Sequence, residues 1–152
     1  MRIKKPILIG IAAVAALGGW ALFRPELLFV NNKVNETLNT TNIVKSGTFD
    51  SYAHETKGTA QVVKENGMYV LQLKDFHTSN GPDVRVYLVK DSDANAASNG
   101  KFVDLGSIKG NIGNQKYNLP AGTNPNDFNS IAIWCKRFNV GFGGATLSSS
   151  KS

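Results

Sequence analysis

The chain has 152 residues, enough for one domain with a real core plus a short appendage. Its formal charge is +6, but half of that excess lies in the first 30 residues. The rest is scattered, with no basic block and no aromatic RNA-binding motif, so nucleic acid is not an expected partner. Cys135 is the only cysteine, which rules out an internal disulfide and leaves the fold to its core.

Pro6 to Phe23 is an uncharged run of 18 residues, preceded by Arg2, Lys4 and Lys5 and closed by Arg24, Pro25 and Glu26. Eighteen helical residues rise about 27 Å, close to the roughly 30 Å hydrocarbon thickness of a bilayer. The run is apolar all round, unlike a core helix with one polar face. Residues 1–25 are therefore expected to form a signal-anchor, a transmembrane helix. Ala13-Val14-Ala15 is the alternative, a small-x-small cleavage site, but the apolar run continues past it. The excess of basic residues before the run predicts a cytoplasmic N-terminus and an exported remainder, periplasmic or extracellular in a bacterium.

Residues 26–46 read as a polar spacer rich in Asn and Thr, with little to bury. Asn35-Glu36-Thr37 and Asn39-Thr40-Thr41 match the glycosylation sequon, which matters only in a eukaryotic secretory pathway. From position 47 the pattern becomes β. Runs at 47–52, 58–65 and 68–74 come first, the last two separated by Asn66-Gly67, whose residues both suit positive φ in a hairpin. Val84, Val86 and Leu88 then alternate with Arg85 and Tyr87, as in a half-buried strand. The stretch 91–100 is a polar loop without apolar period. Shorter strands at 102–105 and 115–119 precede a second loop at 120–127, and runs at 130–137 and 138–147 complete the set. An all-β domain over 47–148 is expected, an antiparallel sandwich or barrel of about eight short strands, with a disordered tail at 149–152.

Catalytic motifs are missing. There is no G-x-S-x-G elbow, and Cys135 lacks the flanking residues of the papain or caspase types. Gly141-x-Gly143-Gly144 lies within a strand rather than between strand and helix, so it marks a bulge or close backbone approach, not a phosphate loop. His54, His77, Cys135 and Met68 are the residue types of a blue-copper site, yet no His or Met follows Cys135 as the common arrangement requires. Haem held by a Cys135 thiolate or a histidine is chemically sensible. Covalent c-type attachment is excluded, because there is no C-x-x-C-H. A plain reading stands beside these: Ile131, Ile133 and Cys135 share one strand face, which makes Cys135 a small core hydrophobe.

The residues also resemble a known family. Gly47-x-Phe49, His54, Gly58-Thr59-Ala60, Asp75-Phe76, Asn80-Gly81-Pro82-Asp83-Val84-x-Val86-Tyr87-Leu88, Gly113-x-Gln115-x-Tyr117 and Trp134-Cys135-Lys136-x-Phe138-x-Val140-x-Phe142-Gly143 are similar to the DM13 domain. The resemblance runs from about Lys45 to Leu147. It implies an extracytoplasmic β domain acting in electron transfer, its cysteine working as a bare thiol or holding a group such as haem. On that basis Cys135 is the expected redox residue, with His54 and His77 as auxiliary ligand candidates and a redox protein as partner. Such a centre is expected near the surface. The alternative is an extracellular binding or adhesion module with Cys135 as core, which exposed Tyr52, Tyr87 and Trp134 on one face would favour.

Overall fold

The computed structural model describes residues 30–150. The expected transmembrane helix lies outside the described residues, and no helix among them is long and apolar enough to cross a membrane. The strands are β1 (Ile43–Ser51), β2 (Lys57–Glu65), β3 (Met68–His77), β4 (Val84–Val89), β5 (Phe102–Ser107), β6 (Gln115–Asn118), β7 (Ser130–Cys135), β8 (Val140–Thr146) and β9 (Ser148–Ser149). Hydrogen-bonded neighbours run β5-β4-β7-β8-β1-β2-β3-β6, and β9 pairs with β1. Every strand pairing is antiparallel.

Between the sandwich and the barrel, the structure selects a nearly closed barrel of eight strands. One continuous sheet curls until its end strands, β5 and β6, face each other across a groove lined by Leu105, Lys116 and Tyr117. Tyr117 Oη accepts the Lys109 amide across that seam at 2.8 Å. The sheet turns its corner at β1, which pairs with β2 and β9 through its first half and with β8 over Phe49–Ser51. At Gly47 any Cβ would run into the Thr146 carbonyl, so only glycine lets the strands cross there. The hairpin at Asn66-Gly67 forms as expected, with φ of 50° and 79°.

Alternation fills the barrel. Val84, Val86, Leu88, Ile131, Ile133, Phe76, Leu71 and Leu73 point inward with Cys135 and Phe142, all at most 4% exposed. Each large side chain buried here is worth about 1.5–3 kcal/mol before the entropy of ordering it. The outer face of β4 and β7 is buried as well. A 3-10 helix, Ala94–Asn99, lies over it, and Ala94 and Ala97 join Tyr87, Val89, Ala132 and Trp134 in a second apolar cluster. The 91–100 stretch expected as loop is thus a small lid. Asp93 Oδ1 caps its start by accepting the Asn95 amide at 3.0 Å, and Gly100 ends it at φ 77°.

The β8 glycines make room for this packing. Ile133 opposes Gly143 while Trp134 opposes Gly141, so Phe142 is the extra residue of a bulge and turns into the core. A Cβ on Gly144 would overlap that of Ala94, and one on Gly143 would overlap Thr56 and sit 2.7 Å from the Asp50 carbonyl.

Hydrogen bonding to the barrel extends beyond residues 47–148 on both sides. Residues 30–42 belong to the stretch expected as spacer, yet they are bonded along the barrel. The Val34 and Glu36 amides donate to the Ile112 and Asn114 carbonyls, each at 2.9 Å. Buried Gln72 clasps Asn39, accepting its amide at 2.6 Å and donating to its carbonyl at 2.9 Å. The strand region then begins at Ile43. At the other end, Ser148 and Ser149 pair with β1, and the Ser150 amide donates to the Val44 carbonyl. Lys45 is only 4% exposed, and its ammonium donates to the Pro125 and Phe128 carbonyls rather than to a carboxylate.

Two outcomes follow from these contacts. Gly143→Ala should lower the unfolding free energy by about 1–3 kcal/mol through overpacking, seen as a lower urea midpoint at unchanged slope. Burial pushes the Lys45 ammonium below its ordinary value. The unfolded chain therefore binds more protons than the folded one between that lowered pKa and 10.5. Over that alkaline window Lys45 should add a rising slope to stability, and the slope should vanish in Lys45→Met when the two urea series are compared.

Candidate functional site

Strand direction places four connections at one end of the barrel: 51–57, 77–84, 107–115 and 135–140. Cys135 is the last residue of β7 at this end. Its backbone lies between Val84 of β4 and Val140 of β8. The sulfur faces inward and the residue is 0% exposed, so the expectation of an approachable centre is corrected. It sits one residue from Trp134, which faces the opposite side of the sheet beneath the 3-10 lid.

The Asn80-Gly81-Pro82-Asp83 connection closes over this end. Gly81 lies so near Val84 and Phe142 that a Cβ would come within 3.1 and 3.3 Å of their side chains. Its amide donates to Asn80 Oδ1 at 2.9 Å, which fixes the turn. The Lys136 amide donates to the Asp83 carbonyl at 2.9 Å, and Asp83 Oδ1 accepts from Arg85 Nε at 2.8 Å. The two most distinctive stretches of the sequence, at 80–84 and at 134–136, are therefore direct neighbours across one pair of strands.

His54 belongs to this end too. Its ring centroid lies 4.1 Å from that of Phe142, and its amide donates to the Phe142 carbonyl at 3.3 Å. His77, the last residue of β3, is exposed beside a cleft of about 490 Å³ lined by Val34, Asp75 and Ile112. Met68 opens β3 at the far end and is 50% exposed, so it does not meet Cys135. Among the described residues no three or more His, Cys, Asp or Glu side chains converge as a metal site. Cys135 has no exposed face and belongs to the same apolar cluster as Val84, Ile133 and Phe142, which leaves no open approach for haem or a copper ion.

Thr56 belongs to no sequence motif, yet it organises this end. It is 2% exposed, and its Oγ1 lies 3.0 Å from Thr78 Oγ1 and 3.2 Å from the carbonyl oxygens of both His54 and Phe142. No local pattern marks such a residue, because its partners lie 22 and 86 positions away. The aromatic group is real but covered. Tyr87 stacks on Phe102 at 3.9 Å between centroids and lies 6.3 Å from Trp134. Tyr87 and Trp134 are buried, while Tyr52 is half-buried. Burial, reinforced by Asp104, holds the Tyr87 phenol above its ordinary pKa.

These features define a small β-barrel built round one internal thiol, with its loops drawn over the thiol end. The chain matches the family model described as electron transfer DM13 over residues 48–147 and belongs to that family. Neither a curated protein nor a solved structure matches it.

The burial gives a direct expectation. A small thiol reagent should label Cys135 in the folded protein far more slowly than in urea, where one equivalent of thiol should appear at once.

Proposed function

We propose that the chain is a membrane-anchored redox module working outside the cytoplasm, with Cys135 as the group that changes oxidation state. The observation that carries this reading is the electron-transfer family match over 48–147, whose distinctive stretches converge on Cys135. The apolar run at Pro6–Phe23 supports the anchor, and the basic residues before it support export of the barrel.

The burial of Cys135 bears on which redox chemistry applies. Thiol–disulfide exchange needs an attacking thiolate to reach the sulfur, and a residue with no exposure is closed to that. An electron needs no such contact and crosses packed protein. In the proposed step, Cys135 gives one electron to a strongly oxidising metal centre of a partner protein, and its proton leaves to solvent through local opening of the loops at this end. Reduction reverses both.

One observation favours a second reading, a binding or adhesion module in which Cys135 is core: the same lack of exposure among Val84, Ile133 and Phe142. The aromatic face that would serve binding is covered by the 3-10 lid, which weakens that reading. Voltammetry on full-length protein in detergent separates the two. A reversible one-electron signal is expected, absent from Cys135→Ala and Cys135→Ser variants that keep the β circular dichroism of the parent. A signal of unchanged potential in both variants would show that the thiol is not the centre, and silence from the parent would leave the binding module.

A further inference from the structure

The described chain starts at the same end of the barrel that holds Cys135. Asn111 ties that start down: its Oδ1 accepts the Asn32 amide at 2.7 Å, and its Nδ2 donates to Asn31 Oδ1 at 3.1 Å and to the Thr78 carbonyl at 2.9 Å. Thr78 leads on through Thr56 to Phe142. Six residues separate Phe23 from Val30, so their seven Cα-to-Cα steps reach at most roughly 25 Å when extended. If the apolar run spans a bilayer, that short tether holds this end of the barrel towards the membrane.

The same end carries a surface suited to lipid. The large apolar side chains exposed among the described residues are Val30, Met68 and Phe138, and two of these three lie here. Phe138 is 44% exposed in the β7–β8 connection, beside exposed Lys136 and Arg137. Nearby carboxylates are met by cations: Glu55 by Lys57 at 3.2 Å, Glu36 by Lys109 at 2.8 Å, and Asp83 by Arg85 at 2.8 Å. Asp50 near the end of β1 and Asp75 on β3, the latter beside Lys74, are the exposed exceptions. An aromatic ring settles well at headgroup level, and cations beside it are drawn to anionic headgroups.

We infer that the Lys136-Arg137-Phe138-Asn139 tip docks on the surface of an anionic bilayer, turning the Cys135 end towards the membrane. This rests on the anchored reading proposed above. The docked arrangement aims the thiol end at partners in or on the membrane and points the Asn66-Gly67 and Pro120–Thr123 turns away from it.

The test uses full-length protein in phosphatidylcholine vesicles with and without phosphatidylglycerol. A fluorophore is placed on Ala53→Cys at the thiol end or on Gly122→Cys at the far end, in a Cys135→Ala background. Quenching by headgroup-level nitroxide lipid should be strong at position 53 and weak at position 122, and strongest in anionic vesicles. Lys136→Glu should cut the docked-to-undocked ratio roughly 25-fold, about fivefold for each of two units of charge. Failure of the protein to float with vesicles would overturn the anchored reading and the docking with it. Flotation with equal quenching at both positions, or quenching at position 53 unchanged by Lys136→Glu, would overturn the docking alone.

Discussion

Position 47 is where the two halves of this barrel are joined. β1 pairs with β2 up to Thr48 and with β8 from Phe49, so it must leave one neighbour and meet another within two residues. That handover brings its backbone against the Thr146 carbonyl, where no side chain has room. The glycines at 143 and 144 meet the same demand from β8, seating Thr56 on one side and Ala94 on the other. Without a disulfide, the curvature of the sheet depends on these absent side chains and on the core they allow to close.

The thiol end follows from that geometry. The bulge at Phe142 turns one extra ring inward, His54 lies on that ring, and the 80–83 turn settles over it. Cys135 is therefore sealed by three separate segments rather than by its own strand. Cys135 has no exposed face within the apolar cluster, and the buried polar groups Thr56, Thr78 and Asn80 lie at the same end of the barrel.

Much of this is readable from sequence where the rule is local. Asn66-Gly67 declares a hairpin because both residues accept positive φ, and Ile131, Ile133 and Cys135 declare a shared face by period alone. Glycines within the last strand likewise declare a bulge. Legibility fails where partners are distant. A polar run at 30–42 looks unable to bury anything, but Gln72 and Asn111 are buried polar groups that need such partners. The lid at Ala94–Asn99 has no amphipathic period because it buries just two alanines, and Lys45 sits in an unremarkable β run while its ammonium reaches carbonyls 80 and more residues away. The burial of Cys135 agrees with the core register that its strand pattern shows, while the segments that cover it come from other strands and are not legible locally.

The fastening of residues 30–42 also sets how the barrel bears load. A pull from the N-terminal side meets the bonds of Asn31 and Asn32 to Asn111 first, then Val34–Ile112, Glu36–Asn114 and the Asn39–Gln72 clasp, before any strand of the sheet is strained. These bonds lie outside the ladder of the main sheet, so the segment can peel from the barrel while the strand pairings behind it stay closed.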